Sequence, residues 1–313
     1  IPERGSLYMT IDVARLRNKP WMELESEVVA DISLPKGYIA DEERRSYHYL
    51  ARHCVKGEGH IIDAGSYIGA STYCFASGLA RNPARGKSLV HAYDRFLVDA
   101  AYIGDMITKN FRPLNAALGD DFYDIFEFQV GKYKNFIRPH RGDFLAEKWI
   151  GEPIELLFID LAKSEDLHKH IVDQFFPSLI PGRSWLIHQD FYHPWHPYIH
   201  ISMQYLKRKF EIIDPFVPSA SRIYLLKDRL TADDISHIKA VPRQERLDLL
   251  DEFIAGETGD MRAMAHVIKM CQHWLDKDQP GFAAQRLKLG AEFEWEAHKD
   301  WAFWCGELDK AQF

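Results

Sequence analysis

Three segments of the 313-residue chain combine the residue types that bind a nucleoside. The run Asp63-Ala-Gly-Ser-Tyr-Ile-Gly69 contains two glycines, which let a backbone turn sharply and approach a ligand closely. Asp94 could accept hydrogen bonds from both hydroxyls of a ribose. In Gly142-Asp143-Phe144, the carboxylate could accept the amino hydrogens of adenine while the aromatic ring stacks on the base. Taken together and in this order, the three segments predict a site for an adenosine-containing cofactor.

A group of histidines could supply proton transfer. His188 ends a short apolar segment, and three more histidines follow closely, at His193, His196 and His200. Because histidine titrates near neutral pH, His188 or His193 could act as a general base without a metal. The alternative is that most of these residues serve loop structure or contact a substrate. Prolines and irregular spacing within the group argue against a transition-metal site.

The elements that must position these side chains alternate between strand and helix. Apolar runs predict strands, and small-residue or amphipathic segments predict helices between them. This alternation is typical of βαβ units and a mostly parallel sheet, whose ligands bind beyond the carboxyl ends of the strands. The predicted strands are 59–63, 88–94, 136–141, 154–160 and 184–188, and the predicted helices are 40–56, 70–79, 98–109, 165–179 and 198–210.

The alternation ends with two strands that are too close together for a helical crossover. Residues 210–214 and 222–227 are both apolar enough for strands, and their connection permits only antiparallel pairing. The predicted fold class is therefore α/β: a doubly wound, mostly parallel seven-stranded sheet with a reversed last strand.

After Thr231 the pattern is helical throughout. Segments 240–254, 260–275 and 281–303 carry apolar residues at helical spacing, and the last is rich in aromatic residues that could face the core or another subunit. The expected organisation is an N-terminal helical cap (1–56), a cofactor-binding core (57–228) and a helical C-terminal appendage (229–313). The stretch 116–133 is either a lid over the acceptor or a plain inserted helix.

The glycine-containing turn resembles the first motif of the catechol O-methyltransferase-like branch of class I S-adenosylmethionine (SAM)-dependent methyltransferases. Asp63-Ala-Gly-Ser-Tyr-Ile-Gly-Ala-Ser71 is similar to the family's acid-x-Gly-x-Tyr-x-Gly-x-Ser run, and residues 57–228 follow the order of the family's core. The resemblance implies that SAM is the cofactor and that Asp94 binds its ribose and Asp143 its adenine. It also implies contacts with the rest of SAM from Asp63, Gly65, Ser66, Tyr67, Gly69, Ser71 and Phe144.

The resemblance extends to a candidate site of methyl transfer. Asp160-Leu-Ala-Lys163 is similar to the family's Asp-x-x-Lys, in which the aspartate binds a divalent metal and the lysine is the base. Gln189 and Asp190, after the fifth predicted strand, would complete an oxygen set with Asp160 that suits Mg²⁺. Gln189 departs from the acidic residue that the family places there. The alternatives are that Asp160 caps the next helix and that Lys163 is a solvated surface lysine.

Composition limits the choice of partner and compartment. The net charge is -7 and no long basic block is present, which argues against nucleic acid as a partner. Four scattered cysteines without metal-ligand spacing favour reduced thiols. We find neither an apolar run of membrane-spanning length nor a signal-peptide core between Ile1 and Trp21. These features favour a cytoplasmic protein with a small-molecule substrate.

The predicted function is SAM-dependent O-methylation of a small polar acceptor such as a sugar or glycoside hydroxyl, with possible assistance from Mg²⁺. The aromatic C-terminal segment makes a homo-oligomer, most simply a dimer, plausible. One alternative is a non-catalytic scaffold that retains the cofactor site. An NAD-dependent oxidoreductase is less compatible, because Gly65 and Gly69 do not form a Gly-x-Gly-x-x-Gly run. A nucleic-acid methyltransferase lacks both an Asn-Pro-Pro-Tyr-type motif and a basic stripe.

Overall fold

The computed structural model describes residues 13–112, 114–217, 221–293 and 299–310. It contains one seven-stranded sheet with the order β3-β2-β1-β4-β5-β7-β6. Strands β1 and β4 are neighbours near the middle of the sheet and pair in parallel, with Ile62 opposite Leu157. The strands are β1 (His60–Ala64), β2 (Val90–Asp94), β3 (Ile137–Arg141), β4 (Ile154–Ile159), β5 (Trp185–His188), β6 (Phe210–Val217) and β7 (Ser221–Leu226).

The first five strands are parallel to one another and the last strand, β7, runs in the opposite direction, which confirms the predicted fold class. β7 lies antiparallel to β5, with Trp185 opposite Leu225, and β6 lies antiparallel to β7 at the edge of the sheet. The central strands β4 and β5 are buried along their whole length, as expected for parallel strands covered on both faces. The strand order switches between β1 and β4, so the carboxyl ends of these two strands flank the position where open α/β sheets bind ligands.

Helices cover both faces of the sheet. The N-terminal helices and α4 bury one face, while α7, α8 and the C-terminal helices bury the other. A third apolar cluster joins α5 and α6 beyond the end of β2. The helices are α1 (Val13–Arg17), α2 (Ser26–Ile32), α3 (Asp41–Tyr49), α4 (Ala70–Ala80), α5 (Ala101–Asn110), α6 (Tyr123–Val130), α7 (Glu165–Gln174), α8 (Pro197–Tyr205), α9 (Ala232–Ile238), α10 (Arg243–Gly256), α11 (Gly259–Leu275), α12 (Gln279–Glu292) and α13 (Lys299–Lys310).

The C-terminal helices share the apolar core of the sheet. Buried residues of α10 and α11 belong to the same cluster as those of β4 and α7, and α10 packs directly on α8. The prediction of a single helix over 281–303 is wrong, because the backbone becomes extended at Phe293 and ends α12 there. Trp295 of the predicted aromatic stripe lies outside the described residues, as does the N-terminal stretch 1–12.

The structure shows how the stretch 116–133 and the first predicted helix, 40–56, are built. Residues 123–130 form α6, which packs against α4. α3 continues through one π-helical turn, Leu50–Cys54, so that the helical segment ends close to the predicted position. Among the described residues, no helix is both long and apolar enough to cross a membrane.

Candidate active site

One cavity of about 880 Å³ lies at the carboxyl ends of the strands. The turns that follow β1, β2, β3, β4 and β5 line it, together with the start of α7 and a short stretch before α3. The predicted cofactor segments and the predicted chemistry and metal segments meet there, whereas the histidine group does not line the cavity. Those predicted to bind the cofactor and found in its lining are Gly65, Ser66, Tyr67, Ser71, Asp94, Asp143 and Phe144; those predicted for chemistry or metal and found there are Asp160, Lys163, Gln189 and Asp190.

The turn after β1 lies directly against the end of β4. Gly65 has φ 103°, and a Cβ on this residue would lie 2.9 Å from the carbonyl carbon of Asp160. Only glycine fits this combination of a left-handed backbone and a close backbone approach. The turn therefore brings the predicted cofactor loop and the predicted chemistry segment into contact.

Asp94 is fixed by two backbone donors at the end of β2. Its Oδ2 accepts a 2.8 Å hydrogen bond from the N–H of Tyr67, and its Oδ1 accepts one of 2.8 Å from the N–H of Phe96. Both donor residues have a left-handed backbone, with φ 48° and 55°. Burial raises the pKa of Asp94, and the two N–H donors oppose this by stabilising the carboxylate. Each oxygen keeps a further lone pair that could accept a ribose hydroxyl.

Asp63 and Gly69 lie beneath the cavity rather than in its lining. The Asp63 carboxylate is fully buried and accepts hydrogen bonds from the hydroxyls of Ser71 and Thr72 at the start of α4. Burial raises its pKa to about 7. Gly69 has φ 97° and precedes α4, where a Cβ would lie 2.7 Å from Val130. Direct contact of Asp63 or Gly69 with a ligand is therefore not supported, and their role is to hold the loop against α4.

The segment after β3 offers a different surface from the one expected. Asp143 is exposed and its side chain accepts a 3.1 Å hydrogen bond from the N–H of Leu145. Phe144 is only 5% exposed, and its ring stacks on Phe175 with ring centroids 5.4 Å apart. Leu145 is 46% exposed and also lines the cavity. The apolar contact for a base at this edge is thus better provided by Leu145 than by the face of Phe144.

The other end of the cavity holds a lysine between two carboxylates. The Lys163 ammonium lies 2.9 Å from Oδ1 of Asp160 and 2.6 Å from Oδ2 of Asp190. Burial alone would lower the pKa of Lys163, but the two carboxylates outweigh it and raise this pKa. Lys163 is therefore a cation at neutral pH and poorly suited to be the general base that the family resemblance implied. Asp190 has φ 54°, a backbone conformation that is uncommon outside glycine and often found at functional sites.

Gln189 lies in the cavity lining, but its side-chain oxygen points into the protein. It accepts a 3.3 Å hydrogen bond from the Tyr47 hydroxyl and another from Ser221. Ser221 is also 2.5 Å from the buried carboxyl of Glu43, whose pKa burial raises to about 7. The predicted magnesium ligands Asp160, Gln189 and Asp190 are therefore not gathered around one point. No cluster of three or more histidine, cysteine, aspartate or glutamate side chains suited to a metal occurs in the part of the chain that the structure describes.

His188 lies outside the cavity and is fully buried. Neither ring nitrogen has a hydrogen-bond partner among the described residues, and burial lowers its pKa well below the ordinary value. The expectation that His188 takes a proton from an acceptor is not supported by this position. His193 lies nearer: its backbone N–H donates to the carbonyl of Asp190, and its ring contacts Trp304 of α13.

An aromatic wall of the cavity had no signal in the sequence pattern. The ring of Tyr38, in the loop before α3, stacks on Tyr67 with centroids 6.0 Å apart and meets Tyr102 edge-on. Gln129 of α6 secures this loop: its side chain hydrogen-bonds the N–H and the carbonyl of Lys36, and also the carbonyl of Ile68. Residues distant in sequence and outside the strand ends thus complete the cavity.

The strand order, with parallel β1 to β5 and a reversed β7 between β5 and β6, is that of the class I methyltransferase fold. Similar solved structures include CalS11, a calicheamicin methyltransferase (17% identity, 69% of this chain, 91% of that chain, TM-score 0.44). The O-methyltransferase NovP is also similar, with 14% identity over 69% of this chain and 98% of that chain and a TM-score of 0.45. A methyltransferase of Podospora anserina with bound S-adenosylhomocysteine has 13% identity over 72% of this chain and 100% of that chain, with a TM-score of 0.38. No family model and no curated protein sequence matches the chain.

Proposed function

We propose that the protein is a SAM-dependent methyltransferase that methylates a hydroxyl of a small polar acceptor. The observation that carries this proposal is the position of Asp94. Its carboxylate is fixed at the end of β2 by two backbone donors, and it faces the same cavity as the Gly65 turn and the Asp160–Lys163–Asp190 group. Asp94 marks the nucleoside end of this cavity, and the Asp160–Lys163–Asp190 group marks its charged reaction end. Such a cavity could hold a nucleoside-containing cofactor next to an acceptor molecule.

In this proposal, residues at one end of the cavity bind the cofactor and residues at the other end bind the acceptor. Asp94 would accept the ribose hydroxyls, and Asp143 with Leu145 would contact adenine. Bound SAM would supply the methyl group to the acceptor oxygen and would leave as S-adenosylhomocysteine, while that oxygen would lose its proton. The charged end would hold the acceptor oxygen in line with that methyl group, since alignment of the reacting atoms supplies much of the rate in such displacements.

The charges of the cavity support a small-molecule acceptor rather than nucleic acid. A phosphate backbone requires clustered lysine and arginine side chains. In the lining described here, only Arg95 and Lys163 are basic, and Lys163 is paired with two carboxylates. The lining contains the aspartates Asp94, Asp99, Asp143, Asp160, Asp166 and Asp190. A sugar or glycoside hydroxyl is the acceptor class that we propose.

Calorimetric titration with S-adenosylhomocysteine tests the proposed cofactor site. We expect saturable binding to the wild type and at least about tenfold weaker binding to Asp94→Ala, because hydrogen bonds to a charged group contribute about 1.5–3 kcal/mol each. Asp99→Ala is the matched control, since Asp99 lines the same cavity but is half-exposed and pairs with the exposed side chain of Arg95. Absence of binding to the wild type would exclude the proposal.

An adenosine analogue separates ribose recognition from a general disturbance of the loop. 5′-Methylthioadenosine and its 2′-deoxy counterpart should differ in affinity for the wild type. They should bind Asp94→Ala with nearly equal affinity, because the partner of the 2′-hydroxyl has been removed. An unchanged difference in the variant would show that Asp94 does not contact the ribose.

Self-association is part of the proposal and rests on the C-terminal aromatic residues. Trp301 is 1% exposed and faces the core, whereas Phe303 is 58% exposed. Phe303 therefore offers an apolar contact on the surface of α13 for a second copy of the chain. Light scattering of the wild type and of Phe303→Ser over a range of concentrations would test this assembly.

A further inference from the structure

The reaction end of the cavity already contains a cation that belongs to the chain. The Lys163 ammonium is within hydrogen-bond distance of one oxygen of Asp160 and one of Asp190, on the ends of two neighbouring strands. The uncommon backbone conformation of Asp190, with φ 54°, directs its carboxylate to this point. Two carboxylates that converge on one position are the usual core of a divalent-cation site, but here an ammonium occupies that position.

Gln189, the third expected metal ligand, makes its hydrogen bonds inside the protein and not in the cavity. The side-chain oxygen of Gln189 accepts hydrogen bonds from Tyr47 and Ser221 in a buried network. Gln189 is 6% exposed, and rotating it toward the cavity would break both of these hydrogen bonds within the buried network. A divalent ion would therefore have only two carboxylate ligands and would have to displace the Lys163 ammonium, which repels it.

We propose that Lys163 is the resident cation of the acceptor site and takes the place of a divalent metal. The inference rests on the proposed methyltransferase function and concerns the same cavity. An ammonium has three N–H donors, and the described carboxylates accept two of them. The third is directed to the acceptor oxygen. Asp190, whose side chain is 34% exposed, accepts the proton that this oxygen releases when it gains the methyl group.

Titration with Mn²⁺, followed by the loss of the free-ion electron paramagnetic resonance signal, tests this assignment. The wild type should not bind Mn²⁺ at this site. Lys163→Met, which retains the length of the side chain but removes the ammonium, should gain saturable Mn²⁺ binding, at least about tenfold tighter than the weakest binding that the assay detects. Lys163→Met/Asp190→Asn should lose the gained affinity, because only one carboxylate remains.

Lys239→Met is the matched control for the loss of one positive charge. Lys239 is paired with the carboxylate of Asp173 on the surface, and no second carboxylate of the described residues lies within ion-pair distance of that ammonium. This variant should bind no more Mn²⁺ than the wild type does. Wild-type binding of Mn²⁺ that Asp160→Asn abolishes would overturn the assignment. A folded Lys163→Met that gains no affinity would also overturn it, since the two carboxylates would then not share a cation position.

Failure of this inference can be distinguished from failure of the proposed function. Binding of S-adenosylhomocysteine to the wild type, measured by calorimetry with EDTA and with Mg²⁺, reports on the cofactor end alone. Equal affinity under the two conditions, together with the Mn²⁺ results above, supports both proposals. If the wild type binds S-adenosylhomocysteine and also binds Mn²⁺ at this site, the proposed methyltransferase function stands and the proposal that Lys163 replaces a metal is wrong.

Discussion

Asp94 and Tyr67 are linked by a hydrogen bond of 2.8 Å from the Tyr67 N–H to Oδ2 of the carboxylate. The donor's backbone has φ 48°, which is uncommon for a bulky aromatic residue. Such conformations cost on the order of 1–3 kcal/mol and persist where the surroundings impose them. The end of β2 and the turn after β1 therefore hold each other in position before any ligand binds, which favours a preformed nucleoside site.

Tyr38 should contribute to cofactor affinity more than to stability. Its ring is 55% exposed and stacks on Tyr67 at the edge of the cavity. The pair holds both rings at the cavity edge and contributes on the order of 0.5–1.5 kcal/mol. Tyr38→Ala should therefore disturb the Tyr67 wall and weaken S-adenosylhomocysteine binding several-fold in calorimetry, while the melting temperature falls by no more than about a few degrees. Tyr38→Phe is the control, because it keeps the ring and loses only the hydroxyl that donates to the Tyr102 carbonyl. Equal binding by wild type and Tyr38→Ala would contradict this role.

Gln129 should hold the loop that carries Tyr38. Its amide binds both backbone groups of Lys36 and the carbonyl of Ile68, so it joins the loop to the cofactor turn. Gln129→Ala removes all three hydrogen bonds, and amide hydrogen exchange over residues 34–39 should become faster. Phe128→Ala on the same helix is the control, since that side chain is 79% exposed. Unchanged exchange in Gln129→Ala would show that the loop is held by other contacts.

The fold and the gathering of the candidate cofactor residues in one cavity could be predicted because they depend on the order of elements. Parallel strands gather their carboxyl ends at one edge, so Gly65, Asp94 and Asp143 had to lie close together once the alternation was recognised. The direction of a long side chain is not encoded by spacing. Gln189 follows β5 as predicted, yet its amide turns toward Ser221, and Ser221 comes from a strand more than thirty residues later in the chain.

His188 shows a second limit of sequence reasoning. It ends β5 next to the cavity residue Gln189, but successive residues of a strand point to opposite faces, and its ring lies in the core. The Tyr38 loop shows a third limit: it precedes the sheet and reaches the cavity only through the packing of α3, α4 and α6. Composition and periodicity carry no information about such a contact.

Buried neutral histidines should make the protein sensitive to acid. Burial lowers the pKa of His188 well below its ordinary value, so the unfolded chain binds a proton at a higher pH than the folded protein does. The contribution of His188 is therefore present above about pH 6.5, and stability falls as the pH decreases below that value. His48 adds to the effect, because burial lowers its pKa to about 3.

Substitution of His188 isolates its share of this dependence. In urea unfolding between pH 6.5 and 5, the free energy of unfolding of His188→Leu should fall less steeply than that of the wild type, by up to about 1.4 kcal/mol per pH unit. S-adenosylhomocysteine binding should be retained, since the ring lies outside the cavity. Parallel pH profiles of variant and wild type would contradict a buried neutral histidine at this position.

The carboxyl of Asp63 should have the opposite pH dependence. Burial raises its pKa to about 7 in the folded protein, so the folded state binds the proton that the unfolded chain releases near pH 4. Its contribution to stability therefore falls as the pH rises from about 4 to 7. Asp63→Asn should remove this contribution, and its free energy of unfolding should fall less than that of the wild type over the same interval. Equal changes in the two proteins would mean that Asp63 is ionised in the fold.

The central claim is that the cavity at the strand ends binds SAM through Asp94, and a crystal structure with S-adenosylhomocysteine tests it most directly. The account predicts ribose hydroxyls within about 3.2 Å of the Asp94 carboxylate, a usual hydrogen-bond distance. It also predicts adenine beside Asp143 and Leu145, and the sulfur directed toward Lys163. A cavity that stays empty at saturating ligand, or ligand bound elsewhere on the protein, would contradict the account.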